Sequence, residues 1–210
     1  YFTDVKNEDG TKSKLYLVQG IFREIVERAK GNEVGADTFF NTDYMKYALD
    51  RIVTESGADI LFHSYITAVN SEGRKLKSVE VSSANGKHTF CADYFIDATG
   101  DANLSFLAGN SLRLGRDSDS LCQPMTLCFR ITGVSFKEFF SHYSEIQALY
   151  KEFKDKGKLK NPREDILVFD TANENIIHFN STRIIKLNPT DPFDLSRAEI
   201  EGRQQMIELV

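Results

Sequence analysis

Apolar residues recur along this chain at two periods, and the switches between them mark out its elements. From Leu15 to Ala29, Val18, Ile21, Phe22, Ile25 and Val26 fall at three- and four-residue steps, which predicts an amphipathic helix. Met45, Ala48, Leu49, Ile52 and Val53 repeat the pattern. Asn41 or Thr42 stands where its N-cap belongs, and Gly57 where a C-terminal cap belongs. Ala58–Phe62 follows as a short apolar strand, so helix, glycine and strand succeed one another as in α/β units. Ahead of them, residues 1–14 are polar around Asp9-Gly10 and predict a loop or a short strand pair.

Three segments then alternate with period two: Tyr65–Asn70, Leu76–Ser83 and Lys87–Cys91. Glu72-Gly73 and Asn85-Gly86 separate them, and Asn-Gly is a strong hairpin signal, so the expectation is a three-stranded antiparallel meander. After it, Tyr94-Phe-Ile-Asp97 reads as a buried parallel-type strand that stops at Ala98-Thr-Gly-Asp101. Gly100 permits a backbone turn that a side chain opposes, or the close approach of a ligand. A turn at the carboxyl end of such a strand is where α/β proteins bind ligands, although a plain strand-to-helix turn reads the same way.

Beyond Gly109 the pattern changes. Gly115–Ser120 is a polar loop and Met125–Ile131 a strand. Ser135-Phe-Lys-Glu138 has capping-box spacing and opens a helix expected to reach about Phe153. Lys154–Asp165 is a charged loop. Ile166–Asp170, Ile176–Asn180 and Arg183–Leu187 are strand candidates, and Ser196-Arg-Ala-Glu199 predicts a last helix, stapled by Leu195 and Ile200.

Composition narrows the partners. The 210 residues are 41% hydrophobic and 27% charged, as in an ordinary globular protein. A net charge of -5 argues against nucleic-acid binding through phosphate neutralisation. No apolar run is long enough for a membrane helix. Cys91, Cys122 and Cys128 are odd in number and lack CxxC spacing, so neither a metal site nor a disulfide framework is expected; Cys122 and Cys128 read as small buried apolar residues. A reducing, cytoplasmic setting fits. The chain begins at Tyr1 and contains no Gly-x-Gly-x-x-Gly, so it reads as an internal piece of a longer protein.

Laid out in this way, the chain resembles FAD-dependent oxidoreductases of the two-dinucleotide-binding-domain type. Asn41–Phe62, the meander and Phe95-Ile-Asp-Ala-Thr-Gly-Asp101 carry the likeness. Gln123-Pro-Met-Thr-Leu-Cys-Phe129 and Asp191–Arg203 look like middle segments of the bacterial branch. The resemblance implies an α/β to α+β fold. Residues 1–109 would be a partial FAD-binding domain, 110–195 an antiparallel substrate-binding domain, and 196–210 the start of a helix leading onward. It implies FAD as cofactor, with Ala98, Thr99, Gly100 and Asp101 against the pyrophosphate and Ile66 offering backbone contacts to the adenine. Without the Gly-rich phosphate loop, this stretch alone should bind FAD weakly or not at all.

The implied chemistry is hydride transfer between flavin and a small substrate. On Ile177–Arg183, period two groups His178, Asn180 and Thr182 on one face, suited to a polar substrate or to proton transfer, or simply wet. Thr126, Cys128 and Arg130 share a face of the preceding strand. His178 and Arg183 are the candidate catalytic residues, Arg183, on the opposite face from His178, as a carboxylate clamp; Arg183 and Arg130 together favour an anionic small molecule. His63, His88 and His142 read as structural or solvent-facing, and Ser64 and Ser105 lack a nucleophile elbow. Two other readings stay open: a nicotinamide enzyme without flavin, and a non-catalytic interaction module on a flavoprotein scaffold. Oligomeric state is not legible.

Overall fold

The structure is a computed structural model and describes residues 2–29 and 41–210. Two units divide the chain: Tyr1–Ala58 with Leu121–Val210, and Asp59–Ser120. In the first, β1 (Phe2–Lys6) and β2 (Lys12–Tyr16) pair antiparallel, Phe2 opposite Tyr16. Asp9 fixes the turn, its Oδ1 accepting Thr11 N–H at 2.9 Å and Thr11 Oγ1–H at 2.6 Å. The strand pair takes Leu15 and Tyr16 from the predicted helix. Gly20, at φ +67°, then turns the chain, and α1 spans only Ile21–Ala29.

α2 (Thr42–Glu55) is capped by Asn41, whose side chain accepts from Asp43 N–H and Tyr44 N–H. Ser56 is the last half-helical residue, and Gly57 follows at φ +81° in the left-handed position of a C-terminal capping glycine, as expected. α1 packs on α2, with Val26, Ala29 and Ala48 buried, and Arg28 links Glu24 and Glu55 at 2.6 Å each.

The rest of this unit is built on a three-stranded antiparallel sheet in the order β6 (Phe129–Thr132), β8 (Ile176–Phe179), β7 (Val168–Phe169). Ile177 and Phe179 point to one side and are buried with Tyr150 and Ile166. Phe129 stacks on Phe179 at 4.8 Å between ring centroids, and Phe139 meets it edge-on. The helix expected over 135–153 is two: Ser135 Oγ accepts from Glu138 N–H and caps α4 (Phe136–Ser141), and α5 (Tyr143–Asp155) follows after His142. His142 is non-helical and its Nδ1 lies 3.1 Å from Glu138 O, which accounts for the break.

α6 spans Pro192–Leu209, four residues earlier than the expected start at Ser196. Asp191 outcompetes Ser196 as cap because its carboxylate accepts from Phe193 N–H and Asp194 N–H, with Pro192 pre-set at the first helical position. Leu195 and Ile200 are both exposed, so the expected staple does not form. α6 crosses the chain at Gly202, where a Cβ would stand 2.9 Å from Leu127 Cβ.

All the strands of this sheet are shorter than the alternating segments predicted. Side chains take over the ladder beyond β8. Ser181 Oγ accepts from Leu167 N–H at 3.0 Å and donates to Leu167 O at 2.7 Å. Thr182 Oγ1 does the same for Leu127, at 2.8 and 3.0 Å. Gln205 accepts from Arg183 N–H at 2.8 Å and donates to Arg183 O at 3.1 Å. Asn161 Nδ2 donates to Ser181 O at 2.6 Å. The strand expected at Arg183–Leu187 is therefore absent, apart from one bridge between Ile184 and Met125, and Lys186 at φ +62° ends any extended run. The Met125–Ile131 and Ile166–Asp170 strands shrink for the same reason.

In the second unit the meander forms as read: β3 (Tyr65–Glu72), β4 (Lys75–Ser83) and β5 (Gly86–Cys91) in sheet order. Thr67 is an extra residue on β3 between the Ile66–Val81 and Ala68–Glu80 pairs. Val79, Val81 and Leu104 form the buried apolar cluster of this unit, with Ile66, Val69, Leu76 and Phe95 packed on them. Leu104 belongs to α3 (Asn103–Leu107). The strands expected at Ala58–Phe62 and Tyr94–Asp97 are not formed, because no described segment pairs with either. The latter still alternates: Phe95 faces the meander, while Tyr94 and Ile96 are 91% and 89% exposed. Mixed helices and antiparallel sheets place the chain at the α+β end of the expected range.

The side-chain ladder makes a direct prediction. Thr182→Val leaves Leu127 N–H and C=O without their partner and should cost about 2–3 kcal/mol. Thr182→Ser keeps the hydroxyl and should cost about 1 kcal/mol for the lost methyl. Urea denaturation of both variants checks this; equal losses would show that the hydroxyl is not what holds Leu127.

Candidate functional site

The turn Asp97–Asp101 is organised by Asp97. Its Oδ1 accepts from Thr99 N–H at 3.2 Å and Thr99 Oγ1–H at 2.7 Å; its Oδ2 accepts from Ser105 N–H at 2.8 Å and Ser105 Oγ–H at 2.7 Å. Thr99 Oγ1 in turn accepts from Asn103 N–H at 2.8 Å, closing the loop onto α3. Gly100 takes φ +85° and Ala102 φ +56°, so the backbone folds back on itself within three residues. The hydrogen bonds from Ser105 and Thr99 hold the Asp97 carboxyl well below the usual carboxylate range.

Thr99 is thus a builder of the turn, with its hydroxyl engaged on both sides. What the turn leaves open is backbone. Gly100 N–H and Asp101 N–H have no hydrogen-bond partner among the described residues, and the space a Cβ of Gly100 would enter is empty to 4 Å. Ala98 and Asp101 are exposed beside it. Such a cradle fits a phosphate held by N–H donors where no side chain obstructs approach, which is what FAD pyrophosphate requires. Behind Asp97 and Ser105 lies a cleft of about 630 Å³ that also takes in Arg74, Lys75 and Tyr94.

Ile66 sits on β3, the edge strand of the meander, with its side chain packed against the Val79–Val81–Leu104 cluster. Its side chain is core, and the outer edge of β3 leaves backbone groups unpaired within the sheet.

On the other unit, the pleat of the β6–β8–β7 sheet turns His178 away from the Ile177–Phe179 core. Arg130 is its directly opposite residue on β6, and Phe169 on β7, its ring 6.3 Å from the imidazole. His178 Nδ1 is buried and has no hydrogen-bond partner. Burial first, and the Arg130 charge second, push the imidazole below its ordinary value, so the ring is neutral at pH 7.

The structure does not bring His178 and Arg183 together. Arg183 Nη1 is bound by Glu164, at 3.0 and 2.8 Å, and its backbone by Gln205. Thr182, expected on the His178 face, is buried and holds Leu127. Cys128 is exposed and Cys122 half-buried, against the buried reading, because the outward face of the 125–131 segment carries Thr126, Cys128 and Arg130. His63, His88 and His142 are all exposed. Asp97 escaped the sequence reading as an organiser; its Asp-x-Thr spacing and the serine eight residues on were the available signal. No group of three metal-ligating side chains occurs among the described residues, and none of their helices is long and apolar enough to cross a membrane.

Comparison with known proteins shows the family. The family model described as FAD dependent oxidoreductase matches residues 2–210. No curated protein and no solved structure matches the chain.

The Asp97 network predicts a pH signature. An Asp whose folded pKa is depressed adds stability above its unfolded value of about 3.9, and loses it as pH falls through the folded value. The Asp97 carboxyl carbon should therefore stay in its ionised NMR position well below pH ~3.9, while exposed carboxyls titrate near it. Asp97→Asn should abolish slow amide exchange at Thr99 and Ser105. An ordinary midpoint for Asp97 would mean that the turn is not held through this carboxylate.

Proposed function

Because the chain belongs to the FAD-dependent oxidoreductase family, we propose that it takes part in hydride transfer between flavin and a small-molecule substrate. The observation that carries this reading is the Asp97-braced turn, which presents the N–H groups of Gly100 and Asp101 around an open glycine. In this reading the two N–H groups donate to the pyrophosphate, and Asp97 and Thr99 act only by fixing the turn. Asp101 lies beside it, and its backbone rather than its carboxylate is the group suited to an anion. Ile66 would serve through backbone on the free edge of β3. Bound FAD supplies the two-electron acceptor that no side chain can provide.

The substrate side falls to the outward face of the β6–β8–β7 sheet. His178 is neutral and its Nδ1 lacks a partner, so it can accept a proton from a substrate hydroxyl or amine as the carbon beside it is oxidised. Arg183 is engaged by Glu164, and its contribution is to hold the 161–184 segment. No nucleic-acid or membrane partner enters this reading.

The test is the visible spectrum of the protein as the cell makes it, incubated with excess FAD and desalted. A retained oxidised-flavin spectrum is expected, and its loss in Gly100→Val, checked for folding by circular dichroism. A colourless protein would remove the flavin reading and leave a non-catalytic scaffold. In the loaded protein, His178→Asn should lower turnover by about a hundredfold or more; full turnover would remove the proton role.

A further inference from the structure

We infer that Arg130 and His178 form one binding site for a short carboxylate bearing a hydroxyl or amine next to the acid group. The inference rests on the reading that the outward sheet face receives substrate. Arg130 and His178 are direct cross-strand partners, which places their Cβ atoms about 5 Å apart on one face. A carboxylate and a neighbouring O–H or N–H span the gap between two such side chains.

Arg130 is exposed and makes no ion pair with any described residue. This is unusual here, since Arg23, Arg28, Arg51, Arg116, Arg163 and Arg183 all pair with an acid. Its planar fork suits two parallel hydrogen bonds to a carboxylate. The outward residues of the three strands are Arg130 and Thr132 on β6, Ile176 and His178 on β8, and Phe169 on β7. None is acidic, so the face is positive on a chain of net charge -5.

His178 supplies the other half. A neutral ring protonated at Nε2 leaves Nδ1 an acceptor, and a buried acceptor without a donor is costly. The terminal ring torsion is soft, so the half-buried ring can turn Nδ1 toward a ligand held by Arg130. A hydroxyl or amine hydrogen of the ligand satisfies it. Phe169 and Ile176 flank the pair as apolar walls for the carbon skeleton.

The probe is glycolate, titrated into the chain without added FAD and followed by NMR at the His178 ring. Flavin retention and glycolate binding are thereby read separately. A saturable shift is expected with glycolate. Acetate, which lacks the hydroxyl, and methyl glycolate, which lacks the charge, should each bind at least about tenfold more weakly. Arg130→Gln should abolish the shift, and Arg183→Gln should leave it in place. No shift with glycolate, equal binding of acetate, or a response that survives Arg130→Gln would overturn the inference; loss in Arg183→Gln instead would give the clamp to Arg183.

Discussion

Residues 180–184 run buried or half-buried through the larger unit with almost no strand partner, and that constraint shapes much of what surrounds them. Ser181 and Thr182 are fully buried, and Ile184 is 2% exposed. Buried N–H and C=O groups must be paired, and an unpaired one costs as much as a lost hydrogen bond. The solution is repeated three times: one hydroxyl or carboxamide accepts from an N–H and donates to the C=O of the same residue. Ser181 does so for Leu167, Thr182 for Leu127 and Gln205 for Arg183. Each closure ties a different segment to this run. α6 can come close enough for Gln205 to reach because residue 202 is glycine, flush against Leu127.

This arrangement explains why some of the fold was legible in the sequence and some was not. The meander was legible because its signals are local: alternation within each strand and a turn sequence between them. Even there the second turn shifts by a residue. Ala84 and Asn85 occupy the corner and Gly86 opens β5, since Asn85 Oδ1 accepts from Ser83 Oγ–H at 2.6 Å. Caps at Asn41 and Ser135 were legible for the same local reason. Ser181, Thr182 and Gln205 were not. Buried hydroxyls and amides look like solvated ones in a sequence, and only the segments they meet 14, 55 and 22 residues away tell them apart. Period-two reading failed at Thr182 because the strand that sets the period ends at Phe179.

The apolar segments Ala58–Phe62 and Tyr94–Asp97 illustrate a different limit. Composition marks a residue as fit for burial on a pleated surface, but a strand exists only when another supplies its hydrogen bonds. Phe95 finds the meander, and Ile96 faces outward. The turn that follows was legible as a glycine turn, yet its engineering lay in Asp97, which reads as the polar end of an apolar run.

Candidate sites were legible to the extent that residue type announces chemistry, and the structure sorts those candidates by whether their polar atoms are already engaged. Thr99, Asp97, Thr182, Gln205 and Arg183 each have theirs committed to neighbours within the protein. A ligand that bound them would have to break what they hold. Gly100 N–H, Asp101 N–H, His178 Nδ1 and Arg130 are not so committed. The pKa values of Asp97 and His178 are both lowered, for opposite reasons that follow the same division: hydrogen bonds stabilise the charged form of the first, while burial, with the Arg130 charge second, destabilises the charged form of the second. Satisfied groups build the scaffold, and the unsatisfied ones mark where binding returns free energy. By that criterion Arg130, on the same face as His178, and not the Glu164-bound Arg183, is the cation left open to a ligand.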